Sequence, residues 1–348
     1  MARTSSAAAI ERLRQQADAV RLAGEAYDDE VVRGCALAAA DTMQAIANKR
    51  ESDEPVLELA ANASNIELRE ARLRQAVRRG AAVYLPSWRE ANTGMPNLLL
   101  RSALFSASNN PDEAVTEETI ASQGDTSITL TGFRLTGYDK RVFAVCLNHY
   151  RQDRPLSAEK GDFQWIRISY WQFAKELGVE PGPNVYKAVR SSLIRLNAAH
   201  LRLRVKRRDI PLPRLIEVAF DDGHDAAALA SSLVKGGDVI AFRVLDSMAN
   251  LFGPQEWTAV SEVALHDFTG LPAWLASFYS THAKPYALQV SDLWRYSGVV
   301  CDLREFRRRL KSALEKLQSE DVPPAIRVEG YEMKGTTITV MLERWTNS

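Results

Sequence analysis

Residues 304–317 read REFRRRLKSALEKL, a strongly basic segment in a chain whose 44 Lys and Arg residues balance 44 Asp and Glu residues. At about 100° per residue, a helix here would have one apolar face and one basic face. The apolar face consists of Phe306, Leu310, Ala313, Leu314 and Leu317. The opposite face carries Arg304, Arg308 and Lys311, with Arg307 and Arg309 on its flanks. The pattern predicts a helix that packs on a core and offers cations to a partner.

A second predicted helix has the same register 121 residues earlier. Its apolar face consists of Val185, Val189, Ser192, Leu193 and Leu196, each 121 positions before its counterpart. Its opposite face carries Lys187, Arg190 and Ile194. Because the two helices share a register and not only a type, the pattern indicates a duplicated unit.

The segments around the two helices follow one order: helix, strand, short helix, turn, long helix and two strands. In the first copy they are DKRVFAVCLNHYR, FQWIRI, SYWQFAKELG and NVYKAVRSSLIRL, then HLRLRVKRR and RLIEVAF as a basic hairpin. In the second they are AWLASFYSTH, YALQV, SDLWRYSG and LREFRRRLKSALEKLQ, then AIRVEGYEM and TTITVMLER. Ser169 and Ser291 are the predicted N-caps of the short helices. This order is typical of a winged helix-turn-helix module.

We therefore predict an α+β, mostly helical protein with two tandem winged helix-turn-helix domains and an N-terminal helical arm. The predicted bounds are 1–84 for the arm, which is partly flexible, 85–236 for the first domain and 237–348 for the second. Within the arm, residues 1–47 and 66–80 are predicted to be helical, with a charged break at 48–55.

Positive charge is concentrated near both long helices. Residues 184–214 contain nine Lys or Arg residues and one acid, and residues 295–316 contain seven and three. The second helix of a helix-turn-helix lies in the DNA major groove, where Lys and Arg neutralise phosphates and Arg can bind guanine. The predicted DNA-binding residues are Arg304, Arg307, Arg308, Arg309 and Lys311, Lys187 and Arg190, and Arg202, Arg204 and Lys206 in the wing strand. The wing tract could instead be an edge strand that its charges protect from aggregation.

The sequence contains no motif that predicts catalysis. It lacks a G-x-x-x-x-G-K-[ST] phosphate loop and a G-x-S-x-G elbow, and its five His residues form no metal-type spacing. The segment from Asp221 to Asp225, with His224, is the one place a metal could use, but an acidic surface loop is the favoured interpretation. We expect no catalytic residues, no metal and no cofactor, and hence no enzyme.

The expected location is the cytoplasm, and no membrane contact is expected. Cys35, Cys146 and Cys301 are isolated and odd in number, which is typical of reduced thiols. The longest apolar runs, such as GCALAAA, are too short to span a membrane.

Three stretches resemble the TrfA-type plasmid replication initiators, and the resemblance covers roughly residues 85–345. They are MPNLLLRSALF (95–105), FYSTHAKPYALQVSDLWRYSG (278–298) and REFRRRLKSALEKL. The resemblance implies two winged-helix domains that bind repeated sites (iterons) in double-stranded plasmid origin DNA and help to open the duplex. It also implies recruitment of the host initiator and the replicative helicase, and an equilibrium between monomers and homodimers. DNA contact is implied for the helices at 304–317 and 184–196.

The resemblance departs at one point. TrfA-type proteins can carry a Gln-Leu-x-Leu-Phe peptide that binds the sliding clamp just before the MPN stretch, whereas this chain reads RRGAAVYLPSW there. Clamp binding through that peptide is therefore not expected. Two other functions fit the same pattern: a winged-helix transcriptional repressor, and a dimerisation or scaffold protein that binds no nucleic acid.

Overall fold

A computed structural model of the chain describes most of its residues, in two compact units, 1–81 and 82–348. The described ranges are 4–26, 30–57, 83–108, 113–124, 126–151, 154–157, 165–205, 208–212, 214–221, 234–253 and 255–346. No helix in these ranges is long and apolar enough to cross a lipid bilayer.

The described part of the first unit contains two helices, α1 (Thr4–Glu25) and α2 (Glu30–Leu57). They run antiparallel, since Arg21 contacts Asp41 while Gly24, later in α1, contacts Ala36, earlier in α2. The Arg21 guanidinium donates to the Asp41 carboxylate at 2.7 Å. Gly24 lies so close to the second helix that a Cβ added there would be 2.7 Å from the Cβ of Ala36. The small residue therefore permits the close approach of the two helices.

The predicted break at 48–55 is wrong, since α2 continues to Leu57. The segment NKRES is charged but consists largely of residues that favour helix, and Pro55 falls in the last turn of the helix. The predicted helix at 66–80 lies outside the described residues.

The second unit mixes helices with small sheets, as predicted for an α+β protein. Its helices are α3 (Asn97–Leu100), α4 (Gly137–Asn148), α5 (Tyr170–Glu176), α6 (Pro183–Ala198), α7 (Glu262–His266), α8 (Gly270–Ser280), α9 (Val290–Ser297), α10 (Leu303–Leu317) and α11 (Glu343–Thr346), with a 3-10 helix at Asp246–Leu251. Its strands are β1 (Asn92–Pro96), β2 (Phe105–Ser106), β3 (Ala114–Ile120), β4 (Thr126–Phe133), β5 (Leu135–Thr136), β6 (Ile166–Ser169), β7 (His200–Val205), β8 (Arg208–Leu212), β9 (Glu217–Asp221), β10 (Val239–Arg243), β11 (Trp257–Ser261), β12 (Ala287–Gln289), β13 (Val328–Lys334) and β14 (Thr337–Leu342).

Two three-stranded antiparallel sheets have the same arrangement. Their strand orders are β6-β10-β9 and β12-β14-β13, so in both the strand before the helix pair lies beside the last strand. The pair α5 and α6 follows β6, and the pair α9 and α10 follows β12. Strand β10 comes after residue 236, where the sequence places the domain boundary, and it pairs with β6 and β9.

The predicted hairpin between HLRLRVKRR and RLIEVAF is wrong. Strand β7 pairs with β4 and β8 in a four-stranded sheet of order β3-β4-β7-β8, and β9 pairs with β10 instead. The apolar alternation explains the choice, because Leu201 and Leu203 lie opposite Leu130 and Ile128 and all four are buried. The basic tract therefore belongs to a sheet that is separate from both three-stranded sheets.

The two apolar helix faces are confirmed. Leu193 and Leu196 of α6 and their counterparts Leu314 and Leu317 of α10 are at most 1% exposed. The N-cap at Ser169 is also confirmed, since the Gln172 backbone N–H donates to its hydroxyl at 3.2 Å. The predicted cap at Ser291 is wrong, because α9 begins at Val290 and Gln289 precedes it.

Candidate nucleic-acid interface

Helix α10 is held at its start by a capping carboxylate. Asp302 Oδ1 accepts a hydrogen bond from the backbone N–H of Glu305 at 2.8 Å, which satisfies one of the free donors of the first turn. Phe306 and Leu310 are fully buried against the core of the second unit. With the cap and the apolar face both fixed, Arg304, Arg308 and Lys311 are left exposed on the other side of the helix.

The five predicted cations of α10 differ in exposure and in partners. Arg304, Arg308, Arg309 and Lys311 are exposed, and Arg307 is partly buried. Arg308 donates from Nε and Nη2 to the two carboxylate oxygens of Glu305, at 2.8 and 2.7 Å. Arg309 donates from Nε to Oε1 of the same carboxylate at 2.8 Å. These hydrogen bonds, those of Arg308 first, lower the pKa of Glu305 to about 2.

Three cations on one flank of α10 have no acidic partner in the described part of the chain. Arg304 and Lys311 form no ion pair there, and the buried Nε of Arg307 lacks a hydrogen-bond acceptor. At about 100° per residue, Arg304, Arg307 and Lys311 lie together on the helix, on the side opposite Glu305 and Arg309. This flank can therefore offer a point charge and forked N–H donors to an anionic partner.

The basic residues of α6 are arranged differently. Lys187 is exposed, as predicted for the outward face. Arg190 is partly buried, with Nη1 donating to the Tyr170 hydroxyl at 3.2 Å and the guanidinium 4.1 Å from the centre of the Phe220 ring. These contacts join α6 to α5 and β9. The part of Arg190 in DNA binding stays a prediction.

A buried ion pair joins α6 to α4. Asp139 is fully buried, and its Oδ1 accepts from Arg195 Nη2 at 2.8 Å and from the Ser192 hydroxyl at 2.7 Å. Its Oδ2 accepts from the backbone N–H of Thr136 at 2.7 Å and from the Thr136 hydroxyl at 3.0 Å. One carboxylate thus caps α4 and fixes the position of α6.

A loop from the first half of the unit supports the turn before α10. The hydroxyls of Ser106 and Ser108 both donate to the carbonyl oxygen of Gly298, at 2.9 and 3.1 Å. The backbone N–H of Val300 donates to the Ser108 hydroxyl at 3.0 Å. Gly298 itself has a φ of 63°, which favours glycine. The turn that aims α10 is therefore held from outside its own helix pair.

The basic strand β7 lies on the four-stranded sheet. Arg202 and Arg204 are exposed and alternate with buried leucines, as the sequence predicts for the two faces of the strand. Arg202 Nη1 lies 3.8 Å from a carboxylate oxygen of Glu117. Lys206 lies outside the described residues. This basic face is thus structurally distinct from α10.

The stretch FYSTHAKPYALQVSDLWRYSG contains a small polar cluster, in which His282 is buried and Tyr286 is 39% exposed. His282 Nδ1 lies 2.9 Å from the Phe278 carbonyl oxygen, and the Tyr286 hydroxyl lies 2.8 Å from its Nε2. The Gln123 side chain contacts the Tyr286 hydroxyl through Nε2 and His282 Nε2 through Oε1. Burial, and then the charge of Arg101, lowers the pKa of His282 to about 4. This histidine therefore links the end of α8 to Tyr286, the residue just before β12.

Among the described residues, no group of three or more His, Cys, Asp or Glu side chains is placed to hold a metal ion. His224 and its neighbours at 222–225 lie outside those residues. The metal interpretation of that segment therefore stays untested.

Sequence reasoning missed three features of this region: Glu305, the Asp139 network and the two serines. Glu305 had a local signal, because an acid three or four residues before an arginine on a helix predicts an ion pair. Asp139 and Arg195 are 56 residues apart, and Ser106 and Gly298 are 192 apart. No periodicity within one helix could have indicated those contacts.

Comparisons with known proteins found similarity to solved structures only at low identity. No protein-family profile matches the chain, and no curated protein matches it. A structure of domains 2 and 3 of RctB superposes with a TM-score of 0.45 at 11% identity, covering 71% of this chain and 97% of that one. A second structure of RctB domains 2–3 has a TM-score of 0.44 at 10% identity, covering 69% and 95%.

Proposed function

We propose that this chain is a replication initiator of the TrfA type, with two winged-helix domains that bind repeated sites in double-stranded origin DNA. The observation that carries the proposal is one flank of α10, where Arg304, Arg307 and Lys311 have no acidic partner among the described residues. The helix follows a short helix and a turn, and a two-stranded hairpin follows it. In winged-helix proteins an element in this position enters the major groove.

The other helix pair, α5 and α6, supports binding to two places on one duplex. α5 and α6 have the same strand arrangement around them as α9 and α10, and Lys187 is exposed on the outward face of α6. Arg202 and Arg204, on their separate sheet, would contact phosphates beside the sites of the two helices. This arrangement suits a protein that covers a long site and gains much of its affinity from the phosphate backbone.

The remaining parts of the proposal follow the family resemblance. The protein would recruit the host initiator and the replicative helicase, open the duplex without catalysing a reaction itself, and exchange between monomer and homodimer. It would act in the cytoplasm on plasmid DNA, without a cofactor.

The first experiment measures binding to duplex DNA as a function of salt. The double variant Arg304→Ala, Lys311→Ala should weaken binding to every duplex and lower the slope of log K against log salt by about two, because each lost phosphate contact removes about 0.9. The matched control is Arg12→Ala, Arg33→Ala, which removes the same charge from exposed positions of the first unit. Equal slopes for the two double variants would refute the assignment of α10.

The second experiment separates an initiator from a repressor. DNA that lies beside the gene is joined to a selectable marker without an origin, and the protein is supplied from elsewhere in the same cell. An initiator maintains the marker as a plasmid, whereas a repressor binds the same DNA without replicating it. A protein with no salt-dependent DNA binding would instead be a scaffold.

A further inference from the structure

The carboxylate of Glu305 lies between two arginines on the exposed side of α10. Its side chain is 30% exposed, whereas that of Arg308 is 73% exposed. Both oxygens are in use: Oε2 accepts from Arg308 Nε, and Oε1 accepts from Arg308 Nη2 and from Arg309 Nε. Glu305 therefore supports the inner edge of the Arg308 guanidinium and leaves its outer end in solvent.

The geometry determines which donors of Arg308 remain available. A guanidinium has five N–H donors in a rigid fork. Glu305 occupies the edge formed by Nε and Nη2, so the end formed by Nη1 and Nη2 still offers a parallel pair of N–H groups. The O6 and N7 atoms of guanine accept such a pair in the major groove.

Arg304 and Lys311 lack this support. They have no acidic partner in the described residues and can follow phosphates wherever the backbone runs. Helix α10 therefore contains two kinds of cation: Arg308 and Arg309, which Glu305 holds, and Arg304 and Lys311, which have no intrahelical anchor.

We propose that Glu305 is a positioning residue that orients Arg308 for base recognition, so that it contributes sequence specificity rather than affinity. The proposal rests on the proposed function, because it requires α10 to lie in a major groove. An acid on a DNA-binding face weakens attraction to every duplex, since it repels phosphates and neutralises arginines. An arginine that is already oriented loses less conformational freedom on binding, and it can bond only where an acceptor pair lies.

The test compares Glu305→Ala with Glu315→Ala. Glu315 is exposed on the outward face of the same helix and forms no ion pair in the described part of the chain. Both variants remove one negative charge, but only Glu305→Ala releases arginines. Wild-type protein first selects a sequence from a library of random duplexes. All three proteins are then titrated by fluorescence anisotropy against the selected duplex and the unselected library at several salt concentrations, and circular dichroism checks the fold.

Glu305→Ala should bind the unselected library more tightly, with a salt slope steeper by about one to two, because two arginines become available to phosphates. Its preference for the selected duplex should fall about tenfold, within the range expected for losing one bidentate contact. Glu315→Ala should strengthen binding to both duplexes equally and keep the preference.

Two outcomes would overturn the proposal in distinguishable ways. If Glu305→Ala behaves like Glu315→Ala, Glu305 does not orient Arg308 for base recognition, although sequence-specific binding stands. If wild-type protein selects no sequence at all, both the positioning role and the proposed function fail.

Discussion

Replacement of Asp139 by Asn should destabilise the second unit by about 3–5 kcal/mol, the cost of breaking a buried ion pair by removal of one charge. Both carboxylate oxygens of the buried Asp139 accept hydrogen bonds, since Arg195 and Ser192 donate to one oxygen and Thr136 donates to the other. An Asn side chain can accept on one side only. Its amide must then point N–H groups at donors, while the Arg195 side chain, 10% exposed, keeps a charge without a counterion.

Tryptophan fluorescence is the suitable assay, because all seven tryptophans follow residue 82 and report on the second unit alone. The midpoint of thermal unfolding should fall by roughly 6–20 °C, at about 2–4 °C per kcal/mol for a domain of this size. The double variant Asp139→Asn, Arg195→Met should recover part of the loss, since it removes the uncompensated charge. A single variant that loses less than about 1 kcal/mol, or a double variant that is no more stable, would refute the assigned role of the pair.

Two further predictions concern the turn before α10 and the packing of α4 on α8. Gly298→Ala should lower the free energy of unfolding in urea by more than Gly335→Ala does. Both glycines have a positive φ, a conformation that costs a residue with a side chain about 1–2 kcal/mol. Only at Gly298 would the added Cβ also lie too close to another atom, 2.8 Å from the Ser106 hydroxyl oxygen. Lys140 is buried, its Nζ donates to the Ser277 hydroxyl at 2.7 Å, and burial lowers its pKa to about 7. Because the unfolded chain then binds more protons between pH 7 and about 10, wild-type stability should rise across that window by about 1.4 kcal/mol per pH unit relative to Lys140→Met, and parallel pH profiles would contradict the assignment.

The helices could be predicted because their information is local. A stripe such as Phe306, Leu310 and Leu317 recurs with the period of the helix, so it fixes both the helix and the face that is buried. The 121-residue offset extends this to two helices at once, and both buried faces are confirmed. The exposure of Arg304, Arg308 and Lys311 follows from the same geometry.

The pairing of the strands could not be predicted in the same way. Alternation in β7 correctly assigns Leu201 and Leu203 to the buried face and Arg202 and Arg204 to solvent. It does not say which strand lies alongside, because any strand with a period of two presents a matching apolar face. The neighbour, β4, comes from a segment about 70 residues earlier in the chain. The basic tract, predicted as the strand of a wing, therefore lies in a separate sheet.

The net charge of a segment does not give the charge that it presents on the surface, as the two basic segments show. Residues 184–214 have the larger excess of cations, yet Arg195 forms a buried ion pair with Asp139. Arg190 packs on Tyr170 and Phe220. Residues 295–316 have the smaller excess, and there Glu305 withdraws two arginines while one flank of α10 keeps its cations without acidic partners. Burial and side-chain pairing thus reduce the number of counted cations that each segment can offer to a partner. Because Lys311 shares its flank of α10 with Arg304 and Arg307, which have no acidic partner among the described residues, we expect α10 to dominate the salt dependence of DNA binding, and Lys187→Ala to lower the salt slope by less than Lys311→Ala does.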